Sequence, residues 1–66
     1  MDQNRGLRTV VVDDEQLARE EVCFLLGEMN GVEVVAQAAD GLEALRVIEA
    51  ENPDLVMLDV PTRISA

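Results

Sequence analysis

The residues of this chain that could do chemistry are three aspartates. Asp13 and Asp14 follow the apolar β-branched run Thr9-Val10-Val11-Val12, and Asp59 follows a second apolar run, Leu55-Val56-Met57-Leu58. Carboxylates drawn into one crevice repel each other, and a hard divalent cation relieves that repulsion. Mg²⁺ takes oxygen ligands, needs only one or two protein carboxylates and keeps several waters, which leaves positions open for a phosphoryl oxygen. An Asp after a strand is commonly a helix cap, and Asp-Asp alone reads that way. Asp59 alone would be an ordinary strand-end turn residue. The two features together, on neighbouring strands, shift the weight toward a cation site.

Composition removes the competing chemistries. The chain has no histidine, no lysine and no tryptophan, so imidazole proton transfer, His ligation of a metal and Ser-His-Asp catalysis have no residues to use. A net charge of −9 repels phosphate backbones and anionic membranes, so no nucleic-acid or membrane partner is expected of this segment. No apolar run approaches membrane length and no signal-peptide pattern opens the chain; with Cys23 the sole cysteine, a cytoplasmic address is expected. Cys23 reads as a small buried hydrophobe. No Gly-x-Gly-x-x-Gly follows the first strand, which argues against a dinucleotide site.

The elements that must carry the aspartates follow from periodicity. Residues 1–6 read as a loose polar leader. Three consecutive valines suit a strand covered on both faces, so Leu7 to Val12 is expected at the centre of a parallel sheet. From Asp14 the period changes. Ala18, Val22, Leu25, Leu26 and Met29 define the stripe of a first helix over about residues 15–28, widened by Leu17, Cys23 and Phe24, with Asp14 able to cap it and Asn30-Gly31 marking its exit. Val32 to Ala38 contains Glu33 and Gln37 and reads as an edge strand. Asp40-Gly41-Leu42-Glu43 is a capping box that opens a second helix, with Leu42, Leu45 and Ile48 as its stripe, joined by Ala44 and Val47. Asn52-Pro53 ends that helix and Leu55 to Leu58 is the third strand. The β-α-β-α-β order with right-handed crossovers gives an α/β fold with a parallel sheet of order 2-1-3 and helices on opposite faces. The carboxyl ends of strands one and three then become neighbours, at the crevice where open α/β sheets bind ligands.

The string VVVDDEQLAREEVCFLLGEM, followed by EVVAQAADGLEALRVIEAENPDLVMLDV, resembles the first half of the receiver domain of bacterial two-component response regulators, a flavodoxin-like fold. The Asp-Asp-Glu-x-Leu-Ala-Arg-Glu start and Pro-Asp-Leu-Val-x-Leu-Asp are most similar to LytTR-type regulators. The resemblance covers about residues 7–60. It implies Asp59 as the phospho-acceptor, fed by a sensor histidine kinase, with Mg²⁺ bound directly by Asp14, mainly through water by Asp13, and also by Asp59 and the carbonyl of Pro61. It implies signalling and not turnover catalysis. A receiver ordinarily continues with a strand-four Ser or Thr that senses the phosphoryl group and a strand-five lysine that pairs with it. Residues 1–60 are therefore read as a truncated receiver, and 61–66 as a tail without a family counterpart.

A chain of 66 residues has little area for a core of its own, so a metal or a second copy is expected to help. Leu55, Val56, Met57 and Leu58 would form an unpaired apolar edge, a template for a homodimer in which strand three pairs antiparallel with its copy. The alternative reading is a self-associating structural fragment whose acidic site takes no phosphoryl group, since no lysine is present to assist the transfer.

Overall fold

The computed structural model describes residues 6–59; the leader over residues 1–5, Val60, the Pro61 ligand and the 61–66 tail lie outside the described residues. Five elements follow in the order β1 (Leu7–Asp13), α1 (Gln16–Gly27), β2 (Val32–Ala38), α2 (Gly41–Glu51) and β3 (Leu55–Asp59). The three strands form one parallel sheet of order β2-β1-β3, as the crossover rule requires. Both helices pack on β1 and β2, neither touches the other, and neither packs on β3.

The valine run sits where its composition demands. Val10, Val11 and Val12 are at most 1% exposed. Val10 and Val12 join Ala38 and Ala44 in the core under α2, with Val35, Ala36, Val47 and Ile48 packed around it. Strand alternation puts Thr9, Val11 and Asp13 on the other face, where α1 lies.

One irregularity sets the phase of β2. Thr9 pairs with Val34 but Val10 pairs with Ala36, so Val35 is an extra residue in a β-bulge. Val35 and Ala36 can then both pack on the α2 core, and Gln37, the partner of Val11, falls on the face of α1 and Asp13. Without the bulge Gln37 would lie on the α2 face, because a one-residue slip inverts every side chain beyond it.

The opposite end of the sheet is tied by backbone and by Arg8. Gly31, at φ +87°, uses the left-handed conformation expected of the Asn30-Gly31 turn, and its carbonyl accepts the Leu7 N–H at 2.7 Å. Arg8 and Asp54 exchange two bonds: Asp54 Oδ2 accepts the Arg8 N–H at 2.9 Å and the Arg8 carbonyl accepts the Asp54 N–H at 2.8 Å. The Arg8 guanidinium donates to the carbonyls of Glu51 and Asn52 at the C-terminal end of α2 and pairs with Glu51 Oε1 at 2.9 Å. No basic residue lies in the last turn of α2 itself, so Arg8 supplies the cation that the helix end favours.

The helix stripes differ from the expected ones. No residue of α1 is buried; Ala18, Arg19, Val22, Cys23 and Leu26 form its half-buried face, while Leu17, Phe24, Leu25 and Met29 are exposed. On α2 the inward line is Ala44, Val47, Ile48 and Glu51, and Leu42 and Leu45 are each 63% exposed. The reason is geometric: the wide apolar arc of each helix exceeds what β1 and β2 can cover, and neither helix reaches β3. Two caps also differ. Helix α1 begins after Glu15 with no side-chain cap, so Asp14 does not cap it. On α2, Asp40 Oδ1 accepts the Glu43 N–H at 2.8 Å as expected, but Glu43 Oε1 reaches past Asp40 to accept the N–H of Ala39 at 2.9 Å.

Candidate acidic site

Parallel pairing of β1 with β3 runs in unbroken register from Thr9–Leu55 to Asp13–Asp59. The last rung of the ladder therefore sets two aspartates side by side on strands about 4.8 Å apart. Their environments are unlike. Asp13 is 3% exposed, whereas Asp59 is exposed, as is Asp14 in the bend that follows β1.

Asp13 is held from two sides. Its Oδ1 accepts the Glu15 N–H at 3.0 Å, a side-chain turn that closes the strand-to-helix corner and explains why Asp14 is not needed as a cap. Its main-chain carbonyl accepts from Arg19 Nη1 at 2.7 Å, while Arg19 Nε donates to Gln37 Oε1 at 3.2 Å. Asp13 Oδ2 is buried and has no partner, the one such side-chain atom among the described residues. A buried, ionisable oxygen without a donor is costly, and a cation or one of its waters would offset that cost. The donor type also suits Mg²⁺: carboxylate oxygens, from Asp13 and Asp59 on adjacent strands. Among the described residues no three carboxylate or thiol side chains are grouped closely enough to hold an ion by themselves. The structure thus brings Asp13 and Asp59 together and leaves Asp14 at the rim.

A scan against family models matches residues 9–61 to the response regulator receiver domain. The chain belongs to the response regulator receiver domain family. Similar curated proteins agree with that placement. An uncharacterised response regulatory protein of Yersinia pestis is 46% identical over 54 residues, covering 82% of this chain and 23% of that protein. The positive alginate biosynthesis regulatory protein of Pseudomonas aeruginosa is 42% identical over 55 residues, covering 82% of this chain and 22% of its own length. The sensory transduction protein LytR of Staphylococcus haemolyticus is 43% identical over 54 residues, with 82% and 21% covered. The chain therefore spans under a quarter of the length of these relatives. No solved structure gives a significant match.

Within this receiver segment the residues missed by pattern reading are Arg19 and Gln37. A signal existed for Arg19: a cation near the start of α1, inside the line Ala18, Val22 and Leu26, opposes both the helix dipole and the apolar stripe. Gln37 had none, because its face depends on the bulge. Cys23 is half-buried, and that burial pushes its thiol pKa above the ordinary value, with Arg19 pulling down and Glu20 adding a smaller push upward. A raised thiol pKa lowers the thiolate fraction at neutral pH and with it the reactivity of Cys23. No helix among the described residues is long and apolar enough to cross a membrane.

Proposed function

We propose that residues 1–60 act as a phosphoryl-acceptor module of two-component signalling, with residues 61–66 a tail outside it. The Asp59 carboxylate attacks phosphorus, forming a P–O bond as the P–N bond of a kinase phosphohistidine breaks; the electron pair stays on the imidazole nitrogen, which takes a proton from water. Mg²⁺, when bound, neutralises charge on the phosphoryl oxygens. Asp14 would hold it directly, Asp13 mainly through water, and Asp59 and the Pro61 carbonyl would complete the protein ligands. The observation that carries this reading is the last rung of the β1–β3 ladder. Asp13 is buried there with Oδ2 unpartnered, a fixed acceptor for the cation's water, and Asp59 opposite is exposed and open to a donor. The module is a receiver of signal and not an enzyme, and a cytoplasmic address accords with a kinase partner.

Self-association through β3 belongs to the same reading. All five β3 residues are exposed, and neither helix packs on them. A two-fold axis perpendicular to the sheet would pair β3 with its copy antiparallel and give six strands in the order 2-1-3-3-1-2, covering Leu55, Val56, Met57 and Leu58.

A rival reading keeps the assembly and drops the chemistry. Residues 1–66 contain no lysine, and a site that lacks one positioned donor for the developing charge runs about 10²–10³ slower. The experiment is incubation with a small acyl phosphate and Mg²⁺, followed by intact mass. One added phosphoryl group, absent in Asp59→Asn, supports the acceptor reading; an unmodified wild-type chain supports the structural fragment.

A further inference from the structure

We infer that Arg19 is a positioning residue of the acidic site, fixing the end of β1 so that Asp13 keeps its carboxylate seated with Oδ2 free. This rests on the cation-site reading for what the carboxylate is used for, but not for the contacts themselves. Helix energetics do not explain Arg19. It stands at the end of the first turn of α1, where the positive end of the helix disfavours a cation, and it pairs with no carboxylate: among the described residues the one ion pair is Arg8–Glu51. Its two donors instead reach two different strands, the Asp13 carbonyl on β1 and Gln37 Oε1 on β2.

The second contact exists because of the bulge at Val35, which turns Gln37 onto the face of Asp13. A planar guanidinium serves the two acceptors from two separate nitrogens held in one fork, a geometry that the single nitrogen of an ammonium lacks. Taking the main-chain carbonyl leaves the Asp13 side chain untouched. Oδ1 is then spent on the Glu15 N–H, which closes the turn, and Oδ2 stays buried without a donor. Because no residue of α1 is buried, few apolar contacts would hold this corner if Arg19 were removed. Groups that orient a ligand without touching the ion commonly change metal affinity by 10–100-fold when lost.

The experiment compares wild type, Arg19→Gln, Arg19→Lys and Asp40→Ala by NMR. The Asp40→Ala variant loses the α2 cap and serves as a control for general destabilisation. In metal-free buffer the Glu15 amide of Arg19→Gln is expected to exchange at least several-fold faster relative to the Val11 amide, with no such change in Asp40→Ala. In an Mg²⁺ titration Arg19→Gln should bind roughly 10-fold more weakly, Arg19→Lys should recover part of the loss through its single ammonium nitrogen, and Asp40→Ala should match wild type. An Arg19→Gln exchange ratio equal to that of wild type or Asp40→Ala overturns the inference, whatever the metal does. A wild-type chain that binds no Mg²⁺ overturns the cation reading instead, and the Glu15 amide still decides the role of Arg19.

Discussion

Asp13 and Asp59 stand opposite each other at the end of the β1–β3 ladder, yet only Asp13 is buried. Under the proposed function that asymmetry divides their work. A buried carboxylate with one oxygen committed to the Glu15 amide is a fixed acceptor, suited to anchoring. An exposed one can meet a partner protein. The same rung is a point of repulsion while no cation is present.

Relieving that repulsion should stabilise the metal-free fold. Asp59→Asn is expected to stabilise the metal-free protein by up to about 1 kcal/mol, and so raise its melting midpoint in EDTA, since like charges directly opposite in a sheet are unfavourable on that scale. The gain should shrink in high salt, because Asp59 is exposed and screened. Circular dichroism melts of both proteins at low and high salt check this, and a lower midpoint for Asp59→Asn at low salt would contradict it.

The caps separate two aspartates that look alike in sequence. Asp40→Ala removes the acceptor of the Glu43 N–H and should cost about 1 kcal/mol, roughly 4–8 °C in a domain of this size. Asp14→Ala removes no cap, since Asp13 closes that corner, and should leave the midpoint in EDTA nearly unchanged.

Arg8 is expected to matter through geometry more than charge. Its ion pair with Glu51 is partly exposed and worth little by itself, but the same guanidinium also receives two carbonyls at the end of α2. Arg8→Lys should therefore recover only part of the stability lost in Arg8→Ala, because one ammonium cannot reproduce the fork. Urea denaturation of the three proteins measures it.

Much of the architecture was legible because strong signals coincide. Val10 to Val12 could only be a doubly covered strand, and with two short crossovers the order 2-1-3 followed, bringing Asp13 beside Asp59. The bulge was not legible: Val34, Val35 and Ala36 are all small and apolar, so a shift of one residue leaves no mark in hydropathy. Nor was the exposure of Leu42, Leu45, Leu25 and Met29, because a stripe states which face is apolar and not what is there to cover it. The closing of the β1–α1 corner by Asp13 in place of Asp14 is a matter of reach to a single amide.

Those uncovered side chains predict association. Light scattering after gel filtration at tens of micromolar should give a dimer mass, and Val56→Lys or Met57→Pro should reduce it to a monomer by breaking the β3 edge. A dimer that survives both substitutions would be held by another surface.

Cys23 gives a pH signature. Its raised pKa means that the folded state holds the thiol proton more tightly than the unfolded chain does, so the stability it contributes is present below the ordinary thiol pKa and is lost as pH rises through the raised one. Reaction with a disulfide reagent at neutral pH should be slower in the folded protein than in urea.

The most direct measurement of the cation site is the melting midpoint in EDTA and then in Mg²⁺. Binding to the folded state alone adds roughly 2.7 kcal/mol at one hundred times Kd. The wild-type midpoint should rise accordingly, and the rise should be lost in Asp14→Ala and Asp59→Asn. A midpoint that Mg²⁺ leaves unmoved, or a rise that persists in those variants, would contradict a site assembled on the last rung of β1 and β3.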